Sequence, residues 1–471
     1  MIDKLPKIAF SKICILIYLQ ITLISAPCFA RLAQAQGQDS PTSGAISSEF
    51  AMSMVDKVNA LIKERFFNQS LAKQIWTPQY ADLKEKAAKC KTLSELTTLI
   101  NNALAKLKVS HTVFASEEQE IFYFLHSLFG TMQRDDYFSK GGADGEDGEI
   151  FDFLGGMPED KRKEATAALK APQPRSKHMC VPGFVTGGTD FAPDVVRYVL
   201  VGSPADQAGL QIGDRIITAN GKAFSCYKDL LVEKKGKLTL KICRGAKTKT
   251  EKPAEQIIEF TPSWSELYPA YVRSIEDSYK IIKVKNKSLA YIRFIVGGPM
   301  ASDVLQVLLS RASNKSDGLI LDLRDGYGAA NYTDLDYFFR PASAYPVTST
   351  VDFKGQTHMQ RLYYNKPVVA LINRGTRSGK ELMSYGLKKS KRATLIGDRT
   401  AGYVLAGQFI PINERCGLFL AVADVKLGKI SLEGGGVEPD ILIKNESGDK
   451  AGEIKQLNAA IKVLERQLAG K

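Results

Sequence analysis

The chain predicts a multidomain α/β protein with three folded parts: a helical N-terminal region, a small β domain, and a C-terminal core of layered strands and helices. Three observations carry this. At 471 residues the chain is too long for one hydrophobic core. Apolar residues recur at helical spacing between Phe50 and the region near residue 170. Beyond Pro262, short apolar strands alternate with helical stretches, the pattern of parallel strands joined by crossovers.

Taken in order, residues 1–35 read as a signal peptide. Lysines precede the apolar run ICILIYLQITLIS, and small-residue cleavage sites follow at Ala30 or Ala35. The run is short for a spanning helix, and export to a bacterial periplasm is expected. Residues 36–47, rich in Gly, Ser, Gln and Pro, predict a disordered start to the mature chain. Residues 48–175 predict helices. Met54, Val55, Val58, Leu61 and Ile62 share one helical face, and Thr92 with Glu95 forms a capping box ahead of Leu93, Leu96, Ile100 and Leu104. The acidic tract GGADGEDGE, 141–149, lacks the spacing of a calcium loop and reads as solvated.

Prolines 172, 174 and 182 mark a boundary, and VVRYVLV, DRIITAN and KLTLKIC supply the strands of a β domain over 178–262. The core, 275–471, follows with SLAYIRFI, GLILDLR, PVVALIN, ATLIG and LFLAVADV as strands, and a closing amphipathic helix over 451–469.

Composition narrows the function classes. Hydrophobic content of 44% and charged content of 24% fit a globular protein rather than a disordered or fibrous one. The net charge of +13 is spread along the chain, which implies a solvated basic surface; peripheral attraction to anionic membranes or acidic proteins is the second reading. No nucleic-acid motif is present. Five cysteines lie beyond the signal region, an odd number without metal-ligand spacing. Free thiols are expected, with Cys226–Cys243 the one pairing considered. No metal or organic cofactor is implied.

Two segments carry specific motifs. VGSPADQAGLQIGDRIITANGK, 201–222, resembles a PDZ domain almost throughout. The resemblance implies peptide binding by strand addition, and it points to Phe184, Val185 and Thr186 as the peptide-binding loop. FVTGG departs from the family's glycine-hydrophobic-glycine loop.

Residues 275–445 resemble the carboxy-terminal processing proteases and their tricorn-type relatives, through LAYIRF, LILDLRDGYGA, KPVVALINRGTRSGKEL, RATLIGDRTAG and GGGVEPDI. The resemblance implies a ClpP/crotonase-like layered core, acyl-transfer chemistry, and polypeptide substrates; it leaves the oligomeric state open. Ser378, three residues before Glu381, occupies the nucleophile position. Independently of the family, a serine at a helix start has free amides and the positive end of the helix dipole beside it. The same features suit an ordinary N-cap serine. The Gly379 amide, and Gly328 in RDGYGA, are the expected oxyanion donors.

The base is the departure. Processing proteases place a lysine after T-x-G, where this chain has Tyr403 in GDRTAGY. Tricorn-type relatives instead use a histidine and a glutamate. His111, in LAKLKVSHTVF, and Glu433, before GGGVEPD, match those positions. The resemblance therefore implies Ser378 as nucleophile, His111 as general base and Glu433 orienting it. Arg377 and Lys380, though basic and adjacent, read as bystanders. A catalytically inactive peptide-binding adaptor, or an apolar-ligand carrier on the same fold, are the alternatives.

Overall fold

The computed structural model describes residues 44–132, 178–188, 191–244, 254–329, 333–339, 348–351, 357–360, 363–445 and 450–469. The predicted signal peptide, most of the segment 36–47, and the tract 141–149 lie outside them. Among the described residues, no helix is long and apolar enough to cross a membrane. The chain divides into two compact units: residues 1–177 with Leu405–Glu433, and His178–Val404 with Gly434–Lys471.

In the first unit, Ser47 caps the helix Ser48–Arg65 by accepting from the Phe50 amide at 3.1 Å. Its inward stripe of Met54, Val55, Val58, Leu61 and Ile62 is buried, as the spacing predicts. The predicted capping box is present. Glu95 N–H donates to Thr92 Oγ1 at 3.2 Å, and the Glu95 carboxylate accepts from the Thr92 amide at 3.3 Å. The helix Leu93–Ala105 that it opens feeds the strand Val113–Ser116.

That strand pairs antiparallel with Cys416–Ala423, which pairs in turn with Ala406–Pro411. Residues 405–433 therefore fold with the N-terminal helices and not with the C-terminal core to which the sequence pattern assigns them. The reason is burial. Leu405, Ile410, Ile412, Cys416, Leu418 and Leu420 join one core with Val58, Ile62, Trp76 and Leu104. Local alternation identifies these strands but carries no information about a partner some 300 residues upstream.

In the second unit, residues 184–260 form a β domain with strands Phe184–Gly188, Phe191–Val199, Arg215–Ala219, Leu238–Arg244 and Ala254–Phe260 in that spatial order. All their pairings are antiparallel. The segment SPADQAGLQIGD makes the predicted short helix, Pro204–Gln207, capped by Ser203. Asp214, buried, accepts both a 2.8 Å and a 2.7 Å bond from the Arg244 guanidinium and so fixes the turn into its strand.

The core sheet runs Lys280–Val284, Lys287–Arg293, Gly318–Asp322, Val368–Ile372, Ala393–Gly397, Ile441–Leu442. The first pair is antiparallel and the rest are parallel. The central strands are buried along their length, which is why they read as continuous apolar runs. The closing helix Lys450–Ala469 covers one face through Ala460, Val463 and Leu464, against Leu289, Ile320, Val369 and Ile396.

At the carboxyl end of Gly318–Asp322 a charged knot is sealed in. Arg324 donates to both Asp322 oxygens, at 2.9 Å and 2.6 Å, and to Gln456 Oε1 at 3.0 Å; the Tyr291 hydroxyl donates to Asp322 at 2.7 Å. Burial raises the Asp322 carboxyl, but the pull of Arg324, Arg293 and Tyr291 outweighs it and holds the group at about 2. Because this pKa is depressed, its stabilising contribution is present above the ordinary value near 3.8 and is lost as pH falls toward about 2. Asp322→Ala is expected to cost about 3–5 kcal/mol, since it strands a buried guanidinium. Urea midpoints followed from pH 5 to 2 check both statements: the wild-type midpoint falls with acid, and the variant starts lower with a flatter dependence.

Candidate active site

The strand Val368–Ile372 ends at Asn373, whose side chain builds the next turn. Asn373 Oδ1 accepts from the amides of Gly375 at 3.0 Å, Thr376 at 3.1 Å and Asp325 at 2.9 Å, while its Nδ2 donates to Asp325 Oδ1 at 3.1 Å. The chain then reaches Ser378 with φ 56 and ψ −129, outside the region a side chain prefers, and enters the helix Gly379–Lys389 directly. A strained strand-to-helix turn of this kind holds a serine out from the backbone on both sides.

Two contacts keep the strain in place. The Ser378 amide donates to the Tyr403 carbonyl at 2.8 Å and to Glu381 Oε2 at 3.2 Å. Glu381 is wholly buried and also accepts from Thr400 Oγ1 at 2.6 Å, Gly402 N at 2.7 Å and Tyr403 N at 2.7 Å. Burial pushes its pKa above the ordinary carboxylate value, against the pull of these donors. Glu381 thus ties the serine turn to residues 400–403. Tyr403 takes part through its backbone, and the residue is 42% exposed.

Beside the serine turn lies the glycine turn that follows Arg324. The Arg377 amide donates to the Gly326 carbonyl at 2.9 Å, and its guanidinium stacks 5.0 Å over the Tyr327 ring. Asp325 is held at φ 57 by its bonds to Asn373. Gly328 has φ +100, and a Cβ there would sit 2.7 Å from the Gly297 amide nitrogen, so only glycine fits. The Gly379 amide opens its helix and has no carbonyl within it to bond. The two expected oxyanion donors therefore belong to segments that hydrogen-bond to each other.

His111 and Glu433 lie in the other unit. His111 follows the capped helix at φ 53, again in the left-handed region. Its ring lies 5.3 Å from that of Phe419. Between it and the acid stands Ser110. The Ser110 hydroxyl donates to Glu433 Oε2 at 2.9 Å and lies 2.8 Å from His111 Nδ1, and the Ser110 amide donates to Glu433 Oε1 at 2.8 Å. A hydroxyl has one proton. If it goes to Glu433, Nδ1 must carry the hydrogen toward Ser110, which leaves Nε2 with a lone pair as the proton acceptor. The sequence signals Ser110 only through the Ser110-His111-Thr112 string that contains it.

Gly407 makes room for this group: a Cβ there would meet Phe419 Cζ at 2.4 Å and His111 Cβ at 3.0 Å. Gly407→Ala is expected to lose about 1–3 kcal/mol of stability by overpacking against Phe419 and His111, measured by urea unfolding.

Phe184 and Val185 of the candidate peptide-binding loop are buried, and Thr186 is half-buried. They lie on the edge strand Phe184–Gly188, whose outer backbone is where a peptide strand would add. The five cysteines are free thiols, Cys226 and Cys243 included.

Residues 288–443 match the model of peptidase family S41, and residues 195–231 match that of the PDZ domain. A carboxyl-terminal-processing protease of Synechocystis sp. is 28% identical over 242 residues, covering 48% of this chain and 52% of that protein. Carboxyl-terminal-processing peptidase 1, chloroplastic, of Arabidopsis thaliana is 26% identical over 272 residues, covering 54% and 53%. The chain thus spans about half the length of these curated relatives. Among solved structures, a photosystem II D1 C-terminal processing protease aligns over 89% of this chain and 99% of its own, at 17% identity and a TM-score of 0.43.

Proposed function

We propose, from the match of residues 288–443 to the model of peptidase family S41 and of residues 195–231 to that of the PDZ domain, that the protein is an exported serine endopeptidase. Ser378 Oγ attacks the scissile carbonyl while His111 Nε2 takes its proton. The amides of Gly379 and Gly328 receive the oxyanion. His111 returns the proton to the leaving amine, and water hydrolyses the Ser378 ester by the same path. Glu433, acting through the Ser110 hydroxyl and directly on its amide, fixes the Ser110–His111 backbone and stabilises the imidazolium. The PDZ domain recruits the polypeptide at its edge strand, and the N-terminal signal directs export.

The observation that carries this reading is the chain Glu433–Ser110–His111, built from 2.9 Å and 2.8 Å contacts. It gives the histidine the tautomer a general base needs. Tyr403 removes the lysine alternative at its usual position. Hydrolysis of casein and of a C-terminal peptide library by wild type and by Glu433→Gln tests it. Turnover that falls about 10²- to 10⁴-fold in the variant is the expected result. Peptide binding without wild-type turnover is the result for an inactive adaptor, and would overturn the enzymatic reading.

A further inference from the structure

We propose that Lys380 is a positioning residue that braces the glycine turn 326–328, and with it the Gly328 oxyanion donor, against the helix carrying Ser378. The inference rests on the peptidase reading for its catalytic consequence, though not for its structural one.

Lys380 is the second residue of an amphipathic helix, where lysine ordinarily faces water, yet it is 2% exposed. Its side chain runs under the turn. A Cβ on Gly326 would come within 3.1 Å of Lys380 Cγ, and one on Gly297 within 3.1 Å of Lys380 Nζ. Gly297 is the register partner of Gly328 in the short parallel ladder Val296–Gly297 with Tyr327–Gly328. The stem thus supports one end of the turn, and the head reaches the residue paired with the donor. The ammonium lies 3.4 Å from the centroid of the Phe294 ring, a cation on an aromatic face.

The neighbouring charge is Asp334, 4% exposed, on the helix Thr333–Phe339 that follows the turn; its Oδ1 has no hydrogen-bond partner. Burial pushes Lys380 down to about 7, against the attraction of Asp334. Burial likewise pushes Asp334 up to about 6, against the attraction of Lys380. A methionine would fill the same space without desolvating a charge. A cation held at that cost is better explained by what it holds: the Phe294 face and the glycine ladder meet one ammonium, with Asp334 as the neighbouring charge, next to the amide whose placement decides oxyanion stabilisation.

Hydrogen–deuterium exchange of the full-length protein tests the brace directly, in a Ser378→Ala background that prevents self-cleavage. In Lys380→Met, exchange of the amides of residues 326–329 is expected to rise about tenfold or more. In the Ser378 enzyme, the same substitution is expected to lower kcat about 10- to 100-fold at nearly constant KM, with Lys380→Arg restoring part of it. If Lys380→Met does not fold, Asp334→Asn must show the same faster exchange. Unchanged exchange at 326–329 in a folded variant overturns the proposal. Absent wild-type turnover would fail the peptidase reading alone, since the exchange result still decides whether Lys380 braces the turn.

Discussion

Ser378→Ala is expected to lower peptide hydrolysis by about 10⁴- to 10⁶-fold while leaving the fold intact. The prediction follows from the turn. Ser378 is held at φ 56 by Glu381 and by the Tyr403 carbonyl, both of which bond its backbone amide. Alanine keeps that amide, so the turn, the helix and the oxyanion donors should survive. The positive φ is strained for alanine as it is for serine, so the thermal midpoint should move little. Activity equal to wild type in Ser378→Ala would remove the nucleophile from the account.

His111→Ala carries the second large effect, an expected loss of about 10⁴-fold or more in kcat at a modest change in KM. Its support is local: Ser110 and Glu433 bond one another whether or not the imidazole is present, so the variant should lose the base and keep its setting. Because residues that act as a unit are not additive, Glu433→Gln added to His111→Ala should cost almost nothing more. A full further loss in the double variant would mean that Glu433 acts elsewhere. Steady-state kinetics on the four proteins measure this cycle.

The PDZ segment and the serine turn are legible in the sequence, and the exceptions have physical causes. The PDZ segment read clearly because capping serine, helix-opening proline and turn glycines act within a few residues of one another. The serine turn read clearly for the same reason. Residues 405–433 did not, because alternation in LFLAVA fixes which side chains face inward and says nothing of what they pack against. Ser110 was hidden beside a more reactive neighbour, and its role depends on a carboxylate 323 residues away. The burial of Lys380 is not legible in the sequence, because helical position alone predicts exposure. Its side chain runs beside Gly326 and Gly297 and over the Phe294 ring, all outside its own helix.

The most direct measurement is the rate and site of fluorophosphonate labelling, read by mass spectrometry, in wild type and His111→Ala. The account predicts one label on Ser378 in wild type, with a rate at least about 100-fold lower in the variant, since the base is gone while the serine remains. Labelling of Ser378 at the same rate without His111, or labelling at another residue, would contradict it.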